Sequence, residues 1–125
     1  MKIIIGIPAF NEEKNIGPII QSLKKTYDNV LVCDDGSSDS TSSIALEMGA
    51  IVVKHSTNEG YGSAIKTIFN ETKKIDCDIL VTFDADGQHQ INEIDDILQP
   101  VIENTADIVI GSRFLGETKQ LPKYR

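Results

Sequence analysis

The sequence predicts an α/β domain in which a mainly parallel β-sheet is covered by helices on both faces, a three-layer αβα arrangement. Two observations support this fold class. Short apolar runs, typical of buried strands, alternate along the chain with stretches in which apolar residues recur at helical spacing. The apolar runs also lack the polar–apolar alternation of a half-exposed sheet, which indicates that both faces of the sheet are covered.

The first strand is predicted at Lys2–Ile7, a run rich in β-branched residues. A helix follows from Asn15, because isoleucines and a leucine then recur three and four residues apart. The second strand is predicted at Val30–Cys33, and Ser38 or Asp39 is expected to cap the second helix, which ends at a glycine.

The second half of the chain repeats this order of elements. Ile51–Val53 is the predicted third strand, and Gly60 is expected to begin the third helix. Ile79–Phe83 is the fourth strand and Ile108–Ile110 is the fifth. Between them, apolar residues at helical spacing predict a further helix over residues 91–101, kinked or stopped near Pro100. Strand and helix therefore alternate throughout, as in consecutive βαβ units.

Composition places the chain among ordinary single-domain globular proteins. It has 125 residues, of which 40% are hydrophobic, and a formal net charge of −7. That charge argues against a general nucleic-acid binder, which normally carries a basic patch. Cys33 and Cys77 are far apart in the chain and are predicted to be reduced thiols of a cytoplasmic protein. No apolar run reaches the roughly 18 residues expected of a membrane span.

Polar residues collect after four of the five predicted strands. In an open α/β sheet, ligands bind beyond the carboxyl ends of the strands. The segments at those ends are PAFNEE, DDGSSD, DADGQH and GSRF, whereas the loop after the third strand, HSTNEGYGSA, is expected to carry less chemistry. Each segment alone is equally consistent with a polar turn. Their convergence on one edge of the sheet predicts a binding site there.

Asp84 and Asp86, after the fourth strand, are the candidate metal ligands. Carboxylates at positions i and i+2 of an extended segment point the same way, and Gln88 continues that parity with a neutral oxygen. Oxygen ligands suit Mg²⁺ or Mn²⁺, which commonly bind substrate phosphates. His89 points the other way and is expected to be a surface or hydrogen-bonding residue. A bound cation would cancel the repulsion between carboxylates this close.

The other strand ends offer candidate nucleoside and phosphate contacts. Asp35 is expected to accept hydrogen bonds from a ribose hydroxyl or a base N–H, whereas Asp34 is expected to be structural. The segment Pro8–Glu13 suits a nucleobase and ribose, and its alternative is a helix N-terminus capped by Asn11. Arg113 is the candidate cation for a phosphate oxygen or a carboxylate, with a plain surface arginine as the alternative.

Five segments, taken together and in this order, resemble the GT-A-fold family of glycosyltransferases, and especially its polyprenyl-phosphate (dolichyl-phosphate mannose synthase-like) branch. They are IPAFNEEKNI, VCDDGSSDST, NEGYGSAI, FDADGQHQ and GSRF, and the resemblance covers about residues 2–115. It implies the Rossmann-like fold of nucleotide-diphospho-sugar transferases. It also implies an inverting, metal-dependent transfer of a hexose from a UDP- or GDP-linked sugar to a polyprenyl phosphate or a saccharide.

The resemblance also assigns residues to the site. Those it places at the nucleotide sugar are Pro8, Phe10, Glu12, Cys33, Asp35, Asp84, Ala85 and Arg113. Those it places at Mg²⁺ or Mn²⁺ are Asp84, Asp86 and Gln88. Phe10 stands where the family more usually has tyrosine, which keeps the aromatic face and loses a hydroxyl. No residue is assigned as the catalytic base, and no oligomeric state is predicted.

The expected organisation is a donor-binding domain over residues 1–115, with an acceptor-side region beginning at 116–125. Family members continue beyond this length, so the alternative is a donor-binding fragment that is inactive on its own. A less favoured alternative is a haloacid-dehalogenase-like phosphatase, whose D-x-D-G motif belongs on a first strand and wants Thr or Val where Gln88 stands. The full-length protein is expected in the cytoplasm, with the cytoplasmic face of the membrane as an alternative location.

Overall fold

The computed structural model describes residues 2–75, 77–85 and 94, and the backbone of 108–110. These residues include five strands and three helices. The strands are β1 (Ile3–Ala9), β2 (Asn29–Asp34), β3 (Ile51–Lys54), β4 (Ile79–Thr82) and β5 (Ile108–Ile110). The helices are α1 (Ile16–Leu23), α2 (Thr41–Glu47) and α3 (Tyr61–Ile75). None of the helices within these residues is long and apolar enough to cross a membrane.

The five strands form one sheet in the order β3-β2-β1-β4-β5, and every neighbouring pair is parallel. The chain builds outward from β1 to β3 on one side and then returns to place β4 on the other side of β1. This reversal of strand order is the point at which open α/β sheets form a ligand crevice. The predicted parallel sheet is confirmed.

The two faces of the sheet bury separate apolar clusters, because successive residues of a strand point to opposite faces. The cluster on the face of α1 and α2 includes Ile5, Ile7, Val30, Val32 and Val81 from the strands and Ile16, Ile20, Leu23 and Ala45 from the helices. The cluster on the face of α3 consists of Ile4, Leu31, Cys33, Leu80, Ala64 and Ile68. Helices on both faces confirm the three-layer arrangement.

Strand β1 extends two residues further than predicted, through Pro8 to Ala9. Proline has no N–H to donate and is normally excluded from a central strand. Here β1 pairs with β4 only as far as Gly6, whereas its pairing with β2 continues to Ala9. The carbonyl of Gly6 accepts from Phe83, on the β4 side, and the carbonyl of Ala9 accepts from Asp35, on the β2 side. Pro8 has the parity of Gly6, so its missing donor falls where the β4 ladder has already ended.

The start of α1 differs from the expected alternative in which Asn11 caps it. The helix begins at Ile16 with Asn15 as its N-cap, and Asn11 lies upstream with a φ of 53°. Asn11 instead joins the loops after β1 and β2. Its Oδ1 accepts from the backbone N–H of Ser38 at 2.9 Å, and its own N–H donates to Ser37 Oγ at 2.8 Å. Asn11 therefore joins the two loops by hydrogen bonds and does not cap α1.

Helix α2 begins at Thr41, with Ser40 as an N-cap whose side chain makes no capping hydrogen bond. Of the two predicted caps, Asp39 supplies the hydrogen bond, since its Oδ1 accepts from the Thr41 N–H at 3.0 Å. The helix predicted over 91–101 lies outside the described residues except for Ile94. That residue is helical and is buried in the cluster that contains α1.

Candidate functional site

A pocket of about 260 Å³ opens at the carboxyl end of β1, beside the point where the strand order reverses. Its lining comes from the end of β1, from the residue after β2, and from the segment that leads into α3. The lining residues are Pro8, Ala9, Phe10, Asp35, Asn58, Gly60, Tyr61 and Ala64. Two of them are aromatic and about half exposed, Phe10 and Tyr61. The pocket therefore offers aromatic surface and a carboxylate to a ligand.

Asp35 is the carboxylate of this pocket, and it is almost fully buried. Its Oδ1 is 2.7 Å from His55 Nδ1 and accepts from the Glu59 N–H at 2.9 Å, while its Oδ2 accepts from the Gly60 N–H at 2.9 Å. Burial raises the pKa of Asp35, but these three hydrogen bonds outweigh burial and lower the pKa below its ordinary value. Asp35 is therefore ionised at neutral pH and fixed in direction.

The hydrogen-bonding capacity of Asp35 is not exhausted by these contacts. A carboxylate offers about four acceptor positions. Within the residues that the structure describes, Oδ2 accepts a single hydrogen bond, from Gly60. One position on Oδ2 is thus left for a donor that enters the pocket.

Asp34, its neighbour, has a structural role, as the sequence predicted. It is fully buried, its Oδ1 accepts from the Ser37 N–H at 2.9 Å, and its Oδ2 accepts from the hydroxyl of Ser42 in α2. Both oxygens hold the loop between β2 and α2. Asp34 is not among the residues that line the pocket.

The loop after β3 was expected to carry less chemistry, and that expectation is wrong. It supplies all three donors to Asp35 and, at its end, part of the pocket wall. The loop also packs against the turn after β2: a Cβ on Gly36, whose φ is +75°, would lie 2.4 Å from the carbonyl carbon of Thr57. The only sequence signal was the pair Asn58 and Gly60 just before α3. These residue types do not by themselves predict a hydrogen bond to Asp35.

Asp84 follows β4, the strand next to β1, and is mostly buried. The Tyr61 hydroxyl donates to Asp84 Oδ1 at 3.1 Å. Asp84 therefore contacts the pocket wall through Tyr61, which lines the pocket. The other predicted metal ligands, Asp86 and Gln88, and the predicted phosphate contact Arg113 lie outside the described residues. Within the described part of the chain, no group of three or more His, Cys, Asp or Glu side chains could hold a metal ion.

Three further predicted residues do not line the pocket. Cys33 is fully buried in the cluster facing α3, and burial, followed by the nearby Asp35 charge, raises the pKa of its thiol to about 11. Ala85 is buried in the other cluster. Glu12 is half-buried and accepts from Asn15 Nδ2 at 3.1 Å. Of the residues assigned from sequence, the structure brings Pro8, Phe10 and Asp35 together.

Proteins with related sequences include an uncharacterized protein from Methanocaldococcus jannaschii, 43% identical over 97% of this chain and 51% of the relative. A UDP-N-acetylglucosamine–dolichyl-phosphate N-acetylglucosaminyltransferase from Methanococcus voltae is 36% identical over 96% of this chain and 56% of the relative. A dolichol-phosphate mannosyltransferase from Pyrococcus furiosus is 30% identical over the whole chain and 37% of the relative. The chain spans about half the length of the first two relatives.

Solved structures with the same GT-A fold include two synthases of sugar phosphoglycerates. Glucosyl-3-phosphoglycerate synthase from Mycobacterium tuberculosis, in complex with Mn²⁺, UDP and glucosyl-3-phosphoglycerate, has a TM-score of 0.57 and 30% identity over 68% of this chain and 33% of that one. Mannosyl-3-phosphoglycerate synthase from Rubrobacter xylanophilus has a TM-score of 0.69 and 25% identity over 82% of this chain and 36% of that one. The family model for glycosyl transferase family 2 matches residues 4–125, and the chain therefore belongs to that family.

Proposed function

We propose that this chain is the donor-binding part of a glycosyltransferase that transfers a hexose from a nucleotide-diphosphate sugar, with Mg²⁺ or Mn²⁺ as cofactor. The observation that carries the proposal is the pocket at the reversal of strand order, with aromatic surface and a fixed, ionised Asp35. Membership of glycosyl transferase family 2 supports the reaction class. The phosphatase alternative loses its basis, because the D-x-D-G segment follows β4 in a chain of this family.

The pocket suits the nucleoside end of such a donor. A planar base can stack on the rings of Phe10 and Tyr61, because aromatic rings favour offset stacking with other planar rings. The remaining acceptor position on Asp35 Oδ2 can take a base N–H or a ribose hydroxyl. Uracil and guanine both carry such N–H groups. The volume of about 260 Å³ is below the roughly 300–1,000 Å³ of sites for drug-sized ligands, so the diphosphate and sugar extend beyond it.

The metal fits the oxygen donors next to this pocket. Asp84 presents a carboxylate at the carboxyl edge of the sheet, and the sequence places Asp86 and Gln88 at matching parity after it. Such an all-oxygen set suits Mg²⁺ or Mn²⁺. A divalent cation held by Asp84, Asp86 and Gln88 would supply positive charge against a departing diphosphate. The Mn²⁺ and UDP in the related Mycobacterium tuberculosis structure support this assignment.

For the acceptor we propose a polyprenyl phosphate, with a saccharide as the alternative. The relatives from Methanococcus voltae and Pyrococcus furiosus, named for dolichyl or dolichol phosphate, support the first choice. A phosphate acceptor is already anionic, so positioning and electrostatics suffice and no general base is required. The acceptor side is expected to begin at 116–125, which lies outside the described residues. For the whole protein we propose a cytoplasmic location, with the cytoplasmic face of the membrane as the alternative.

A thermal-shift panel of UDP, GDP and their sugars, each with and without Mn²⁺, tests the donor assignment. Ligand-linked stabilisation is about 2.7 kcal/mol at a ligand concentration of 100 times Kd, so binding raises Tm measurably. We expect one nucleotide to raise Tm, and Mn²⁺ to enlarge the shift. Asp86→Ala is expected to remove the Mn²⁺-dependent part, whereas Asp28→Ala, an exposed acidic control, keeps it. Absence of a shift with every nucleotide, with or without metal, would overturn the proposal.

The same protein distinguishes the active enzyme from the donor-binding fragment. Incubation with the stabilising nucleotide sugar and a polyprenyl phosphate yields glycosylated lipid if the 125 residues are sufficient for transfer. If the chain binds the donor but neither transfers the sugar nor hydrolyses the donor, it is the donor-binding fragment.

A further inference from the structure

His55 follows β3 directly and uses both ring nitrogens. Its Nδ1 is 2.7 Å from Asp35 Oδ1, and its Nε2 is 2.8 Å from the hydroxyl oxygen of Thr67, in the middle of α3. The backbone N–H of His55 donates to the carbonyl of Asp34 at 2.8 Å, and its side chain is 11% exposed. The ring is therefore held between the end of β2 and helix α3.

The partners of the ring fix where its proton lies. The ionised Asp35 can only accept a hydrogen bond, so the hydrogen is on Nδ1. In the neutral ring Nε2 is then an acceptor, and the Thr67 hydroxyl donates to it. The carboxylate of Asp35 therefore selects this tautomer, and the Thr67 hydroxyl, which can donate or accept, adapts to it and holds the ring in place. Two weaker neighbours are present, Glu59 Oε2 at 3.7 Å from Nδ1 and Cys33 Sγ at 3.7 Å from Nε2.

His55 differs from the other two donors to Asp35. Glu59 and Gly60 donate from the backbone of a loop whose residues 56–59 are exposed. The imidazole is mostly buried and is anchored at its far side by a helix. His55 does not line the pocket, so it contacts the Asp35 carboxylate from the side that faces away from the pocket.

We propose that His55 is a positioning residue for donor binding: it holds Asp35 Oδ1 so that Oδ2 faces the nucleoside, without itself touching the nucleotide. This inference rests on the proposed function, because it assigns His55 a role at the same site. Binding energy then depends on a chain of contacts that runs from Thr67 through His55 to Asp35.

Two substitutions at His55 distinguish the hydrogen bond to Asp35 from the space that the side chain fills. Asparagine places its amide nitrogen where Nδ1 stands, whereas glutamine places its amide nitrogen near the position of Nε2. His55→Asn therefore keeps a donor to Asp35, and His55→Gln keeps a group that faces Thr67. By calorimetry with UDP and GDP, we expect Kd for the nucleotide that the wild type binds to rise about tenfold in His55→Gln and less than about threefold in His55→Asn.

A double-mutant cycle tests whether the effect passes through Asp35. In the Asp35→Asn background, His55→Gln is expected to cause little further loss of affinity, because the positioned carboxylate is already gone. An undiminished loss there would overturn the positioning role. Equal losses in the Asn and Gln variants, or wild-type affinity in both, would overturn it as well. A wild type that binds neither UDP nor GDP overturns the proposed function itself.

Thr67 provides a second pair of variants if His55→Gln does not fold. Thr67→Ser keeps the hydroxyl that faces Nε2, and Thr67→Val removes it at similar volume. We expect a raised nucleotide Kd in Thr67→Val and a wild-type Kd in Thr67→Ser, both measured by calorimetry. Equal affinities in the two variants would contradict the role of the Thr67–His55 contact.

Discussion

Asp34 and Asp35 are adjacent in the chain but serve opposite faces of the sheet. The carboxylate of Asp34 binds Ser42, in α2, whereas that of Asp35 binds His55, which in turn contacts α3. Successive residues at a strand end point in opposite directions, so a pair of identical residues acquires two different roles. One stabilises a turn, and the other presents a charge to the pocket.

Asp35→Asn is expected to lower the free energy of unfolding by about 1–3 kcal/mol at pH 7, because the amide cannot satisfy all three donors that the carboxylate satisfies. The folded-state pKa of Asp35 is lowered from its ordinary value of 3.8. Its contribution is therefore complete above that value and is lost as pH falls through the lower folded-state pKa. Urea unfolding of both proteins from pH 7 down into this acid range measures the difference.

The expected result is a stability gap that begins to narrow near pH 4, where Asp35 of the unfolded wild type takes up a proton, and narrows further as pH falls through the lower pKa of the folded state. Asp28→Asn, at an exposed position, serves as the control and is expected to change stability by less than about 0.5 kcal/mol. A gap that stays constant through the acid range would contradict the prediction.

Site residues at the ends of β1 and β2 could be predicted from the sequence, whereas those supplied by the segment from His55 to Tyr61 could not. Pro8, Phe10 and Asp35 follow strand signals, and the sheet rule places such residues at one edge. His55 and Tyr61 reach the site because the segment between β3 and α3 folds back over that edge. Local periodicity carries no information about a contact between positions 35 and 55.

At the scale of elements, the site depends on two loops that fit together without intervening side chains. The turn after β2 approaches the loop after β3 at Gly36, where the nearest backbone atoms leave no room for a Cβ. This close approach brings the Glu59 and Gly60 N–H groups to Asp35. Strand β1 ends two residues beyond its predicted end, because the ladder with β4 stops at Gly6 while the ladder with β2 continues to Ala9.

Gly36→Ala is expected to destabilise the chain by about 2–3 kcal/mol. The new Cβ would lie 2.4 Å from the carbonyl carbon of Thr57 and 2.5 Å from the Asn58 nitrogen, at a φ of +75° that L-residues rarely adopt. Gly62→Ala is the matched control, because a Cβ in α3 at that position meets no atom within 4 Å. It is expected to stabilise by up to about 1 kcal/mol. Urea unfolding of both variants measures the contrast, and equal effects would refute the loop-contact argument.

At the scale of the whole molecule, one sheet separates two apolar clusters that share no buried residue. The site draws on both sides of this division. Asp35 is positioned from the face of α3, while Asp34 secures the neighbouring turn from the face of α2. The sequence predicted both faces, because apolar runs without alternation require cover on each side.

The separation of the clusters predicts additive effects of core substitutions on opposite faces. Ile20 in α1 and Ile68 in α3 are both fully buried, one in each cluster. Each Ile→Val change is expected to cost about 0.5–1.5 kcal/mol through the lost methylene and the cavity left behind. Urea unfolding of the two single variants and the double variant measures the coupling, which is expected to stay within about 0.5 kcal/mol because the sites share no partner.

The comparison pair is Ile20→Val with Ile5→Val, which lie in the same cluster and are expected to couple, because one side chain can relax into space left by the other. Coupling above about 0.5 kcal/mol between Ile20 and Ile68 would show that the sheet transmits strain between its faces. The two layers of helices would then not be independent supports for the site. Additivity would indicate that packing changes on the α1 face do not propagate to the α3 face, where His55 contacts Asp35 and Thr67.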